Sequence, residues 1–280
     1  MTSSAQTDAP EPVAARPQTA AGRVLALLGA FEAGGGSLTL SEISRQAGLS
    51  LTTTHRLVRE VLEWGGLEVD GAGRYRLSTK FLRLASNSTR GLQLREAALP
   101  HLMDLHRQIG GSTVHLAVQE GHQVMYLEAL RSYPNYTGES RIGGGLPMHV
   151  TAAGLVLLAH ASEDFITDYL SRPLKRYTPK TIVDPDELLD TLAQVRAQRF
   201  CVHPQSIALD AGGIAAPITG EDMAVKAAVN AVWFIEHQDP QRLTSLVRAT
   251  ANRISRALAG PRSPLDRRTI DFNRRQAGLG

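Results

Sequence analysis

The segment LTLSEISRQAGLSLTTTHRLVREVLEWGGLEV, Leu38 to Val69, holds two helical patterns with only GLS between them. A second helix that follows so closely must turn back sharply on the first. Thr39, followed three residues later by Glu42, predicts a capping box for a short helix carrying Ile43 and Ala47 inward. Gly48 supplies the turn and Ser50 caps the next helix. There Thr54, Leu57, Val58, Val61 and Leu62 recur at helical spacing and form a buried stripe. Thr52, Thr53, His55, Arg56 and Arg59 are left facing outward.

Upstream, GRVLALLGAFEAGG places Val24, Leu27, Leu28 and Phe31 on one stripe and closes on glycines, the form of a helix with a left-handed stop. Downstream, GGLEVDGAGRYRLS reads as strand, Asp-Gly turn and strand, with Arg74 and Arg76 on one face and Tyr75 and Leu77 on the other. Helix, capped helix, tight turn, amphipathic helix and basic hairpin in that order make a winged helix-turn-helix. Such a unit buries one side of its second helix and offers the other to the major groove, where hydroxyls and arginines reach base edges and phosphates. The expected contacts to double-stranded DNA are Ser50, Thr52, Thr53, His55, Arg56, Arg59, Arg74 and Arg76. Any one of these arginines is explained equally well as a solvated surface group; the ordered set of elements carries the expectation.

Total charge adds little. The net charge is +3, and between Ser41 and Arg76 five arginines stand against five acids, so a preference for a polyanion must lie in placement. With 280 residues, 42% hydrophobic and 20% charged, the chain can bury the cores of two modest domains. No apolar run approaches the roughly 20 residues that span a bilayer. The start MTSSAQTDAPEPVAARPQTA has no apolar signal core, so a cytoplasmic location with no membrane partner is expected. Cys201 is the single cysteine, which excludes an internal disulfide and a multi-cysteine zinc site within one chain. His101 and His106 are five apart and off a common helical face, so no metal and no cofactor are expected.

Residues 1–20 read as a disordered tail, 21–78 as the winged helix-turn-helix domain, and 79–95 as a helical connector. Residues 96–260 form an α+β domain, and 261–280 a basic C-terminal tail. In the α+β domain STVHLAVQEGHQVMYLEAL alternates around a turn, RIGGGLPMH leads into the helix TAAGLVLLAHA, and DPDELLDTLAQVRAQRF begins with acids, as a helix dipole prefers. GIAAPITGEDMAVKAAVNAVWFI gives two further strands, and a helix from about Pro240 to Leu258 closes the domain. That order fits helices packed on an antiparallel sheet.

Four segments in this order, LTTTHRLVREVLEWGGLEVDGAGRYRLS, RIGGGLPMHVTAAGLVLLA, RYTPKTIVDPDELLDTLAQVRAQRFCVH and GIAAPI, resemble the IclR family of bacterial transcriptional regulators over about Gly22 to Leu258. The resemblance implies a winged-helix N-terminal domain, a GAF-like effector-binding domain, and a homodimer or dimer of dimers on a palindromic operator. It also implies a small organic acid as effector, aromatic acids among them, held between the sheet and the loop-helix GGGLPMHVTAAG. Backbone amides at a helix start, here Thr151, Ala152 and Ala153, bind a carboxylate without a formal positive charge. Repression is the commoner behaviour in the family, and the implied target is a catabolic operon.

The chain departs from the family pattern in its second half. Gln205 and Ser206 stand where an acidic pair is usual, Gly213 where a cysteine is frequent, and Leu155 where a lysine is common. These changes predict a larger and less polar acid, aromatic in character, with His203, Gln205 or Asn230 as polar contacts and Leu116, Met148 and Ile214 as walls. His115 reads as core or pocket, His149 as a structural group in its loop, and Cys201 as a small buried hydrophobe. Leu51 opens the recognition helix where relatives often have a polar residue.

The competing class is an enzyme acting on a small acid in the α+β domain. The chain lacks a G-x-S-x-G elbow, a phosphate loop, a G-x-G-x-x-G turn and H-E-x-x-H, so no catalytic residue is assigned. A protein-interaction module with a degenerate winged helix is the third reading, and the outward Thr52, Thr53, Arg56 and Arg59 oppose it.

Overall fold

The structure, a computed structural model, describes residues 19–33, 36–85, 89–131, 141–235 and 239–259. The expected C-terminal tail lies outside the described residues, as does the N-terminal one up to residue 18. The chain forms two compact units divided between residues 88 and 89.

In the first unit, α1 (Ala20–Ala33), α2 (Leu40–Gln46) and α3 (Leu51–Trp64) are followed by β1 (Leu67–Val69), β2 (Tyr75–Leu77) and α4 (Thr79–Ala85). The capping box closes as the spacing requires: the Thr39 backbone N–H donates to Glu42 Oε2 at 2.7 Å, and Glu42 N–H donates to Thr39 Oγ1 at 3.3 Å. Gly48 takes a left-handed φ of +64°, and Ser50 Oγ accepts from Thr53 N–H at 3.2 Å. Leu27, Phe31, Ile43, Leu57, Val58 and Val61 meet in one core. Thr54 is fully buried beside them because its hydroxyl donates back to the Ser50 carbonyl at 3.0 Å. This is a winged helix-turn-helix.

The second unit is α+β. Its elements are α5 (Thr89–Gln108), β3 (Val114–Glu120), β4 (Gln123–Leu130), β5 (Gly145–Pro147), a 3-10 turn (Met148–Val150), α6 (Ala152–Ala159), α7 (Glu163–Leu170), α8 (Pro185–Gln198), β6 (Cys201–Pro204), β7 (Ala211–Thr219), β8 (Val225–Phe234) and α9 (Pro240–Leu258). The strands form one antiparallel sheet in the order β5-β4-β3-β8-β7-β6. The short β5 and helix α7 are not marked in the sequence reading. The expected connector at 79–95 falls on both sides of the division, α4 with the first unit and α5 with the second.

Helices cover both faces of this sheet. On one face α5 and α9 bring Leu102, Leu105, Val247 and Ile254 against Leu116, Ile214, Val229 and Trp233. On the other, α6 and α8 pack on Ala117, Val124, Tyr126, Cys201, Ala215 and Ala228. All eight residues of α6 are buried. At Gly154 an added Cβ would lie 2.2 Å from the Met148 carbonyl oxygen, so only glycine lets α6 pass so close to the preceding turn. Glu128, buried on β4, is neutralised across the unit by Arg95 of α5 at 2.7 Å.

Candidate functional site

The outward face of α3 carries the residues expected there, and the structure separates them by their bonding. Ser50 and Thr53 hydroxyls satisfy each other at 2.9 Å in the cap. Thr52, His55, Arg56 and Arg59 are exposed. Arg56 pairs with Glu60 one turn on at 2.5 Å, and Arg76 pairs across the wing with Glu68 at 2.9 Å, both at exposed positions where a carboxylate is easily exchanged for a phosphate. Arg59 has no ion-pair partner among the described residues.

Arg74 is bonded differently from Arg76. It precedes β2 and turns back to the start of α2, donating to Ser37 O at 2.9 Å, Ser37 Oγ at 3.2 Å and Glu42 Oε2 at 2.9 Å. Three protein acceptors hold it as a tie between the wing and the capping box. Leu51, half exposed at 51%, is the apolar residue of this polar helix face.

In the second unit a cavity of about 180 Å³ lies between the sheet and the start of α6. Strand alternation decides what lines it. Thr113 and His115 before and on β3, Tyr126 on β4, Asn230 and Val232 on β8, Gly213 on β7 and His203 on β6 point into the space, with Thr151 and Ala152 above and Ser206, Ile207 and Ala208 at the side. None of the described lining residues is Asp, Glu, Lys or Arg. Asn230 Nδ2 donates to His115 Nδ1 at 3.2 Å, and the His115 ring stacks on Tyr126 with centroids 4.2 Å apart. Burial pushes the Tyr126 phenol well above its ordinary range, so it is a neutral donor.

Two further features make the space receptive. Thr151 caps α6, its hydroxyl accepting from Gly154 N–H at 2.9 Å, while the first-turn N–H groups of Ala152 and Ala153 have no acceptor inside the helix. Beneath them, a Cβ at Gly213 would come within 3.0 Å of Ala152 Cβ and 3.2 Å of Asn230 Oδ1, so the glycine itself keeps the floor open.

Of the residues expected to bind an effector, Thr151, Ala152, His203 and Asn230 line the cavity. Leu116 and Ile214 do not: each lies on the α5–α9 side of its strand, and the neighbours His115 and Gly213 face the cavity instead. Met148 and Ala153 are buried in the core around α6. Gln205, at a left-handed φ of +58°, turns its amide to the Leu209 carbonyl at 2.8 Å and leaves the lining to Ser206. Tyr126 and Ser206 are additions that alternation along β4 and adjacency to Gln205 could have supplied. Cys201 is buried with its thiol pushed up to about 12, an inert group.

Comparison with known proteins gives this arrangement a family. Residues 20–71 match the model of the IclR helix-turn-helix domain, and residues 86–256 match that of the bacterial transcriptional regulator IclR C-terminal domain. The chain belongs to the IclR family. The transcriptional repressor IclR of Escherichia coli K12 is 30% identical over 247 residues, covering 86% of this chain and 90% of that protein. The acetate operon repressor of Salmonella typhimurium LT2 is 31% identical with the same coverage. A crystal structure of an IclR homolog from Microbacterium hydrocarbonoxydans, complexed with 4-hydroxybenzoate, superposes with a TM-score of 0.80 at 33% identity, covering 86% of this chain and 99% of that one. As a member of the IclR family the chain is a DNA-binding transcriptional regulator, and the enzyme reading is set aside.

Proposed function

We propose that this IclR-family regulator represses a catabolic operon, and that a small organic acid, aromatic in character, changes its operator affinity by occupying the cavity beside α6. The observation that carries this reading is the partly open, largely apolar space at a helix start whose first amides are unbonded within the helix. Those amides favour a carboxylate, and the ring-sized apolar lining favours the body behind it. The related protein complexed with 4-hydroxybenzoate supports an acid of that kind, and the relatives named as repressors support the sign. The helix-flanked antiparallel sheet supports a GAF-like description of the second unit.

DNA is read by α3 and the wing. Thr52 and His55 are disposed for base edges, Arg56, Arg59 and Arg76 for phosphates, while Ser50 and Thr53 shape the helix start and Arg74 holds the wing. The chain acts in the cytoplasm as a dimer or dimer of dimers, which matches a palindromic operator. No helix among the described residues is long and apolar enough to cross a membrane. Coupling between cavity and operator is reciprocal: the acid changes operator affinity by the factor by which the operator changes acid affinity.

The test is selection of genomic fragments by the purified protein, then titration of the best fragment at several salt concentrations with and without aromatic and aliphatic acids. A palindromic site whose affinity one acid shifts is the expected result. Absence of site-selective binding under every condition would overturn the proposal.

A further inference from the structure

Helix α3 opens on a residue that neither the core nor the helix cap uses. Leu49 before it packs on the core of the first unit, and Thr54, Leu57 and Val58 after it are buried, whereas Leu51 is left 51% exposed. Its polar neighbours are already engaged. Ser50 Oγ accepts from Thr53 N–H at 3.2 Å and donates to the Thr53 hydroxyl at 2.9 Å, and Ser44 Oγ donates to the Leu49 carbonyl at 2.7 Å. His55 and Arg59 follow Leu51 at steps of four residues, both exposed, so the leucine heads a row along the outward face of α3.

The surroundings limit what can cover it. Leu51 forms one wall of an open hollow between α2 and the start of α3, with Ser41, Ser44, Arg45 and Ser50 among the others. An apolar protein surface laid over this hollow would desolvate the Arg45 guanidinium along with the leucine. A duplex offers both partners, phosphate for the arginine and a base edge for the leucine. In a helix-turn-helix the first residues of the second helix meet base edges in the major groove. The groups that distinguish base pairs there are hydrogen-bond donors and acceptors, with one exception, the 5-methyl of thymine. A donor or acceptor pressed against Leu51 loses its water and gains no bond, while a methyl group is better off out of water.

We infer that Leu51 is a specificity-determining residue that reads the 5-methyl group of a thymine in the operator by apolar contact. This deepens the proposed reading of DNA by α3 and rests on it. Thr52 and His55 supply hydrogen bonds on the same face, and Leu51 admits one base by excluding water and polar edges from the spot it covers.

The experiment replaces each thymine of the genomic fragment selected by the full chain, one at a time, with deoxyuridine, which lacks only the methyl group, and measures affinity by fluorescence anisotropy. One replacement should weaken binding about fourfold, the worth of one buried methyl. In Leu51→Ala that penalty should fall below about 1.5-fold with the melting temperature unchanged, and Leu51→Met, which restores apolar reach, should keep about twofold or more. Leu51→Gln serves as a second variant that loses the penalty. Site-selective binding with no deoxyuridine penalty at any thymine would overturn the inference and leave the regulator reading standing. A penalty that persists in Leu51→Ala and disappears in Thr52→Ser would assign the methyl to Thr52 and likewise overturn it. An equal loss on thymine and deoxyuridine fragments in Leu51→Ala, with a changed oligomeric mass, would place Leu51 in a contact between copies of the chain. Absence of site-selective binding would overturn the proposed function and this inference together.

Discussion

The Thr181 hydroxyl donates to the backbone oxygen of Ser206 at 2.7 Å, fastening the segment ahead of α8 to the loop that walls the cavity. Thr181 is itself buried, so a valine of the same shape would leave the Ser206 carbonyl without its shorter bond. Thr181→Val should lower stability by roughly 1–3 kcal/mol, read by urea denaturation, and weaken acid binding as the loop loosens. Unchanged stability would mean the loop is held by other contacts.

Gly213 is predicted to set the depth of the cavity. Gly213→Cys places a side chain where the glycine now leaves space beside Ala152 Cβ and Asn230 Oδ1. Aromatic acids should lose about tenfold or more in affinity, while a short aliphatic acid is affected less. Titration of both ligand types against the variant separates lost volume from general damage.

Arg59 and Arg74 should respond to alanine in opposite ways. Arg59 is exposed and outside any ion pair among the described residues, so Arg59→Ala should leave the melting temperature unchanged and reduce the salt slope of DNA binding by about one. Arg74→Ala removes the tie to Ser37 and Glu42 and should cost about 1–2 kcal/mol of stability in the first unit. Thermal denaturation and binding isotherms at several salt concentrations would show a reversal if the assignments are wrong.

Acid should destabilise the second unit through buried imidazoles. Burial lowers His203 to about 4, and it also lowers His149, whose ring is engaged by Tyr169 Oη at 2.9 Å and the Lys175 carbonyl at 3.0 Å. An unfolded histidine takes up its proton near 6.5, so between these values the unfolded chain binds more protons. Stability from this source is complete above pH of about 6.5 and declines as pH falls toward about 4, by roughly 3 kcal/mol at most for His203. Denaturation midpoints across that interval measure the slope, and His203→Leu should flatten it.

The first unit was legible because its signals are local. Thr39 with Glu42, the left-handed Gly48 and the stripe from Thr54 to Val61 each act within a few residues, and each produces the element its spacing implies. The cavity was harder to read for a physical reason. Helices cover both faces of the sheet, so its strands are apolar on both sides and sequence alone does not mark the inward parity. A slip of one position exchanges Leu116 for His115 and Ile214 for Gly213. The Gln205 exchange arises differently: a left-handed backbone at a glutamine, which nothing in its residue type announces, swings that side chain away and brings Ser206 inward.

Because α6 is buried along its whole length and pressed against the Met148 carbonyl at Gly154, one helix is at once the wall of the cavity and the middle of the core. Toward α6 a ligand cannot be made larger without displacing close-packed interior. The domain's own cohesion thus sets an upper bound on how far a ligand reaches toward that helix. An acid that fits should raise the melting temperature in step with its affinity, and one a few atoms too long in that direction is turned away by the same packing that keeps the protein folded.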